Sequence, residues 1–285
     1  MSFDQQLLCW CGEQMRAGYR PVIGLNGPVG AGKSTLSRQL QGCFAAAGVR
    51  LAVASIDDAY LPWQARLKAM AGNPYGVNRV PPGSHDPAGL VDAIQQWRQA
   101  REAGLTLPRF DKTLRQGAGD RVSEWTGEAD ALLLEGWLLG CRPLPGYQIE
   151  AVVWLKELQG FSAAELEWMV RCNEALVGYL PLWAELDQLL MLWPLRWSLP
   201  RRWRLQAEAK QRRRGGGWLP ASELESIVKA TLRSLPPSLY QEPVLAHANW
   251  VRVLNGRRRS VWEGSGEAAL AWLDQPCSDS SSATG

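Results

Sequence analysis

Gly27-Pro28-Val29-Gly30-Ala31-Gly32-Lys33-Ser34 fits the pattern G-x-x-x-x-G-K-[ST], and Thr35 follows it. Glycines at this spacing let successive backbone N–H groups point at phosphate oxygens with no Cβ in the way. The helix that follows turns the positive end of its dipole to the same place. Lys33 adds a point charge for the β and γ phosphates, and the Ser34 hydroxyl suits Mg²⁺. The run PVIGLNG (21–27) reads as a buried strand before the motif. Residues 33–47, with Leu36, Leu40 and Phe44 on one face, read as a helix after it. That flanking context separates a phosphate cradle from a chance glycine-rich turn. It predicts Mg·ATP binding through Gly27, Gly30, Ala31, Gly32, Lys33, Ser34 and Thr35.

Two carboxylates are placed to act beside that cradle. LAVASID (51–57) reads as a second buried strand ending at Asp57, with Asp58 next, and ALLLEG (131–136) as a third that delivers Glu135. In open α/β sheets, ligands gather at the carboxyl ends of strands. Phosphoryl transfer asks for one carboxylate to orient the attacking hydroxyl and another to hold Mg²⁺ or its water. Asp57 suits the first task and Glu135 the second. Either acid alone could simply cap a turn; next to a phosphate cradle the functional reading is preferred.

The remaining chain must position these groups. Residues 2–19 suggest a short amphipathic helix, 61–86 a long loop rich in Gly, Pro and Asn, and 87–103 a helix started by Pro87. Residues 107–121 read as a second polar loop, and 151–192 as mostly helical with a short strand at 189–193. The segment 141–172 carries no readable motif and has the look of an insertion. A basic helix is expected from Arg201 to Arg214, closed by Gly215–Gly217, and another helix over 221–234. A hairpin over 250–262 is expected around an Asn255-Gly256 turn, followed by a disordered tail at 278–285. Apolar strands alternating with helices predict an α/β fold with a parallel sheet covered on both faces.

Composition narrows the function class. At 285 residues with 46% hydrophobic residues the chain can bury a large core. A net charge of +3 is too small to imply a nucleic-acid or membrane partner. Most of the fifteen tryptophans are expected to pack rather than stack on ligands. The six cysteines show neither disulfide spacing nor a nearby His to complete a zinc site, so free thiols and a cytoplasmic location are expected. The first twenty residues lack a secretory signature. No apolar run is long enough to span a bilayer: LLMLW (189–193) lies between Asp187 and Pro194. An N-K-x-D motif, which a GTPase would use to read its base, is absent.

The pattern Ile56-Asp57-Asp58-Ala59-Tyr60, the Glu135-Gly136 step and the arginine-rich helix together resemble the uridine kinase, pantothenate kinase and phosphoribulokinase group. Within that group the chain resembles the D-glycerate 3-kinases from about residue 21 to 240. The resemblance runs through GLNGPVGAGKSTL, SIDDAYL, RVPPGSHD, PRFDKTLRQGAGDR, LLLEGWLLG and WRLQAEAK in that order. The family typically carries Phe at Ala59, Gly at Val80 and Tyr at Phe110. The resemblance implies a P-loop NTPase three-layer sandwich with a mostly parallel sheet and a helical, arginine-rich lid. It divides the chain into an N-terminal helix (1–20), a kinase domain (21–263) with its lid helix at about 200–217, and a C-terminal segment (264–285). It also implies transfer of the ATP γ-phosphate to the primary hydroxyl of D-glycerate, giving 3-phosphoglycerate.

A small anionic acceptor needs cationic and hydrogen-bonding groups around its carboxylate and hydroxyls. The two polar loops offer Arg79, Ser84, His85, Asp86, Arg109, Lys112 and Arg121, with Asp58 and Tyr60 at the same pocket. Arg204, in WRLQAE, stands at the family's lid arginine, with Arg201 or Arg202 as helpers, and Arg212 to Arg214 read as a solvated helix end. The expected mechanism is direct in-line transfer, with Lys33 and Arg204 neutralising charge and Asp57 accepting the proton. Two alternatives stay open: another hydroxyl acceptor such as pantothenate, a nucleoside or a sugar phosphate, or an ATP-binding regulatory or nucleic-acid-binding protein using the basic helix with Trp197 and Trp203. No nucleic acid or membrane is expected as partner, and the oligomeric state cannot be read.

Overall fold

Among the described residues eight segments form strands: β1 (Val22–Asn26), β2 (Leu51–Ser55), β3 (Leu105–Asp111), β4 (Asp120–Gly127), β5 (Ala131–Gly136), β6 (Gln188–Pro194), β7 (Trp250–Leu254) and β8 (Ser260–Gly264). The computed structural model describes residues 2–100, 104–146, 148–149, 158–213 and 219–275. The tail expected over 278–285, the closing Gly215–Gly217, Arg214 and residues 151–157 of the expected helical stretch lie outside the described residues. Six strands join one sheet in the order β2–β5–β1–β6–β7–β8, parallel except for β8 at the edge. The C-terminal hairpin therefore belongs to the main sheet.

The side-chain period of two splits each central strand between two cores. Ile23, Leu25 and Leu133 face one way and meet Leu36, Leu40 and Phe44 of α2 (Lys33–Ala46). Val22, Leu132 and Leu134 face the other way, onto a core shared with Leu90, Ile94 and Trp97. The second set belongs to α4 (Pro87–Gln99), which Asp86 caps and Pro87 begins. Helix α1 (Phe3–Arg16) opens with a capping box between Ser2 and Gln5. It joins the first core through Leu7 and Cys11, and Phe3 stacks on Trp250. Among the described residues no helix is long and apolar enough to cross a membrane, and no disulfide forms.

Four expectations need correction. The stretch 61–86 is not all loop: it contains α3 (Trp63–Ala69). The polar loop expected over 107–121 is largely an antiparallel ribbon, β3 paired with β4. Pro108, which has no N–H to give, sits where the register shifts between Leu107 and Arg109, and that break hides the strand pattern. Strand β2 stops at Ser55, because the Ser55 hydroxyl accepts from Asp57 N–H while Asp58 accepts from Ser55 N–H. Asp57 and Asp58 thus ride on a single 3₁₀ turn. The hairpin does not turn on a two-residue Asn-Gly pair; Asn255 Oδ1 accepts from the N–H groups of Arg257 and Arg259, and Arg258 takes the left-handed bend at φ +60°.

One arginine ties three separate stretches of loop and ribbon together. Arg66, on α3, is fully buried. Its guanidinium donates to the carbonyls of Asn78, Leu61, Ala118 and Gly119 at 2.6–3.0 Å, and lies 4.7 Å from the centre of the Phe110 ring. Gly119 has φ +75°, and a Cβ there would come within 2.3 Å of Phe110. A planar fork with five donors can serve several carbonyls at once, which Lys cannot. Arg66→Ala should therefore cost about 3 kcal/mol or more by chemical denaturation, because it strands buried carbonyls. A loss below about 1 kcal/mol, the scale of an ordinary single hydrogen bond, would contradict this clamp.

Candidate active site

The cradle lies between the end of β1 and the start of α2, where the sheet's carboxyl edge opens into a cavity of about 800 Å³. Lys33, Ser34, Asp57, Lys112, Glu135 and Arg204 all line it. Lys33 Nζ donates to the carbonyls of Gly27 and Pro28, at 2.7 and 3.2 Å. Burial pulls the Lys33 pKa down, against the opposing pull of Glu135 and Asp57. Ser34 Oγ donates to Glu135 Oε1 at 2.8 Å, and Ser37 Oγ approaches Glu135 Oε2 at 3.3 Å. A hydroxyl and a carboxylate in contact are the hard oxygen donors that Mg²⁺ takes. Among the described residues no group of three or more His, Cys, Asp or Glu side chains could hold a metal by itself. The donor set therefore fits an ion that draws its other ligands from phosphate oxygens and water.

Asp57 is the most heavily engaged carboxylate of the site. Tyr60 donates to Oδ1 and Lys112 to Oδ2, each at 2.8 Å, and His85 Nε2 lies 3.8 Å from Oδ1. Burial works to raise the Asp57 pKa, but Lys112 leads the groups that outweigh it and hold the carboxyl well below its usual range. Burial lowers the His85 pKa, so its ring is neutral at pH 7, and burial together with Asp57 holds Tyr60 protonated.

The expected acceptor-pocket residues divide into cavity wall and scaffold. Tyr60, Arg79, Lys112 and Asp58 are at the wall. Arg79 spends one guanidinium nitrogen on the carbonyls of Gly117 and Ala118. Asp58 is partly committed to the Ser55 N–H, and Arg109 lies 3.7 Å from it. Asp86 and Arg121 stand behind the wall: Asp86 caps α4, while Arg121 donates to Asp86 and to the carbonyls of Tyr60 and Ala59. His85 is likewise behind, stacked on Tyr60 with ring centroids 4.5 Å apart. Ser84 is buried and donates to Pro81 O. Asp86, Arg121 and Ser84 form the cavity's backing, with polar atoms spent on backbone groups and on one another, whereas His85 bonds the Tyr179 hydroxyl through Nδ1. Val80, at the wall, has φ +96°, a conformation that favours glycine and strains a β-branched residue.

The basic helix α7 (Leu199–Arg213) closes the cavity from the cradle side; two further helices, α5 (Ala163–Ala175) and the short α6 (Leu180–Ala184), precede it. Its backbone rests on Gly30, whose φ is +76°; a Cβ there would meet Arg204 N and Trp203 C at 2.8 Å. The close approach of the helix therefore requires Gly at position 30. Arg204 reaches the cavity with Glu208 3.3 Å away. Arg201 does not assist: it pairs with Glu225 on the outside. Trp203 is fully buried, and Trp197 packs against Trp193, so neither is presented for base stacking. Arg258, which sequence reasoning passed over, also lines the cavity and joins Gly30 O to Gln206. Only the left-handed bend of the hairpin turns it inward, and the run Arg257–Arg259 alone gives no sign of which arginine that is.

No protein-family model matches the chain. Over 235 residues, 78% of the chain, it is 31% identical to the chloroplastic D-glycerate 3-kinase of Arabidopsis thaliana, and spans 49% of that relative's length. Over 213 residues, 71% of the chain, it is 27% identical to an uncharacterized kinase of Schizosaccharomyces pombe, covering 76% of it. Among solved structures, a D-glycerate 3-kinase from Cryptococcus neoformans aligns over 93% of this chain and 99% of its own. The TM-score is 0.76 at 24% identity, a likeness of fold.

The ionisation of Asp57 gives a test that needs no substrate. Its charge adds stability above the unfolded carboxyl pKa of about 3.9, and that contribution is lost as pH falls through the lower folded value. Lys112→Met removes the largest opposing influence and leaves burial, so Asp57 should take up its proton at higher pH, as read by carboxyl ¹³C NMR. An unchanged titration would contradict the assignment of Lys112 as the charge that holds Asp57 ionised.

Proposed function

We propose that this chain, a homologue of the D-glycerate 3-kinase family, transfers the γ-phosphate of Mg·ATP to the primary hydroxyl of D-glycerate. The observation that carries the reading is the meeting in one cavity of a phosphate cradle and an ionised carboxylate that no phosphate needs. A protein that only bound ATP would have no use for Asp57 there.

Lys33 and the loop N–H groups take the β and γ phosphates, and Arg204 and Arg258 stand over the same cavity from the lid side. Ser34 and Glu135 would hold Mg²⁺, which supplies charge neutralisation at the phosphates. The acceptor oxygen forms a bond to the γ-phosphorus as the bond to the β–γ bridging oxygen breaks, and ADP leaves. Asp57 orients the hydroxyl and takes its proton. A carboxylate of low pKa is a weak base, which suits a loose transition state in which proton transfer comes late. Lys112 and the unspent nitrogens of Arg79 supply positive charge for a small acceptor's carboxylate. Helix α7 excludes water that would otherwise hydrolyse ATP.

ADP release should be assayed in parallel with D-glycerate, L-glycerate, pantothenate, uridine and ribulose 5-phosphate. Turnover with D-glycerate, with 3-phosphoglycerate as product, is expected. Turnover confined to another acceptor would overturn the substrate assignment, and the strained Val80 in the wall would be the first residue to examine. Silence across the panel would overturn the kinase reading itself.

A further inference from the structure

Tyr179 lies far from the phosphate cradle in sequence, in no motif, and is 1% exposed. Its hydroxyl lies 2.8 Å from His85 Nδ1 and accepts from the Gly83 N–H at 3.0 Å. Burial raises its pKa, so the phenol keeps its proton. Gly83 N–H can only donate, so that phenolic proton is left for Nδ1. Ser84 Oγ, 3.4 Å from the same nitrogen, directs its own proton to Pro81 O at 2.6 Å. If Nδ1 carried the ring proton instead, the Tyr179 oxygen would face two donors and its own proton would have no acceptor in a buried site, at a desolvation cost. Nδ1 is therefore the accepting nitrogen.

The neutral ring's one proton then sits on Nε2, because the bond made by one ring nitrogen fixes the state of the other. Nε2 is buried without a hydrogen-bond partner, and the nearest carboxylate oxygen is Asp57 Oδ1 at 3.8 Å. That same oxygen accepts from Tyr60, whose ring stacks on His85, whereas Lys112 takes Oδ2. Contacts of catalytic groups are often long before substrate arrives and tighten in the reacting complex.

We propose that Tyr179 is a positioning residue for phosphoryl transfer: its hydroxyl locks His85 as the Nε2–H tautomer, which with Tyr60 occupies Asp57 Oδ1, so that the acceptor hydroxyl meets Oδ2 on the lone pair that Lys112 leaves open. The inference rests on the kinase reading given above. The chain Gly83 N–H to Tyr179 O–H to His85 to Asp57 carries orientation from the backbone to the carboxylate, and no proton crosses it during turnover.

The chain contains only two histidines, His85 and the exposed His247, so imidazole ¹⁵N spectra can be assigned with a His247→Gln variant. At pH 7 His85 should show a protonated Nε2 and an unprotonated Nδ1. Tyr179→Phe keeps the ring that packs on Trp183 and removes only the hydroxyl. It should shift His85 toward the Nδ1–H form and lower kcat by between about tenfold and about a hundredfold, the scale of a misplacement near an ångström. KM for ATP should stay unchanged. A His85 found as the Nδ1–H tautomer in the unaltered protein overturns the inference, as does a Tyr179→Phe variant that keeps its tautomer or its kcat. An unaltered chain silent with every acceptor would instead sink the kinase reading, whereas an active one with an indifferent Tyr179→Phe sinks only the role of Tyr179.

Discussion

The contact between Asp57 and Lys112 at the open end of the cavity sets the terms for everything around it. A carboxylate drawn toward the low-dielectric edge of a protein tends to take up a proton, and a protonated acid is of no use for orienting a hydroxyl. Here burial pushes Asp57 that way, and Lys112 leads the groups that push back harder. The same arrangement keeps two anionic demands apart. In the proposed reading the loop, Lys33 and the Ser34–Glu135 pair serve the phosphates, and Asp57 with Lys112 beside it serves the acceptor. A lone carboxylate facing a triphosphate would repel it, and Lys112 removes much of that repulsion.

Holding Asp57 requires the polar loops to be rigid, and arginines supply that rigidity. Arg66 gathers four carbonyls from three stretches of loop and ribbon, and Arg121 gathers two more together with Asp86. Both guanidiniums act as substitutes for the regular ladders that these segments lack. On the opposite side, the lid helix rests on Gly30 with no side chain between them, and Arg258 pins the helix to the loop. Cradle and lid are thus coupled both through these backbone contacts and through the first core, which Ala31, Leu36 and Trp203 share.

The sequence made the cradle and the sheet legible because both rest on local rules. A glycine pattern between a strand and a helix, and apolar runs ending in acids, can be read without knowing what lies opposite. Asp57, Glu135, Lys33 and Ser34 line one cavity. What escaped it depends on partners distant in the chain. Arg121 and Asp86 looked like pocket residues because charge in a loop is ambiguous until its neighbours are known. Arg66, on which the sequence gives no hint, is fully buried. The β3–β4 ribbon was hidden by Pro108 at a bulge, and Arg258 is aimed by a backbone conformation that few sequences announce. Tyr179 reaches His85 across 94 residues of chain, a contact with no local signature.

The central claim is that Asp57 serves the acceptor and not the nucleotide. It is tested most directly by measuring ATP affinity and the single-turnover rate of phosphoryl transfer in an Asp57→Asn variant, which keeps the shape and removes the charge. The account predicts ATP affinity within a few-fold of the unaltered protein and a transfer rate lower by roughly a hundredfold or more, the scale of a lost acid–base group. Transfer at nearly the original rate, or a loss explained wholly by weaker ATP binding, would contradict it.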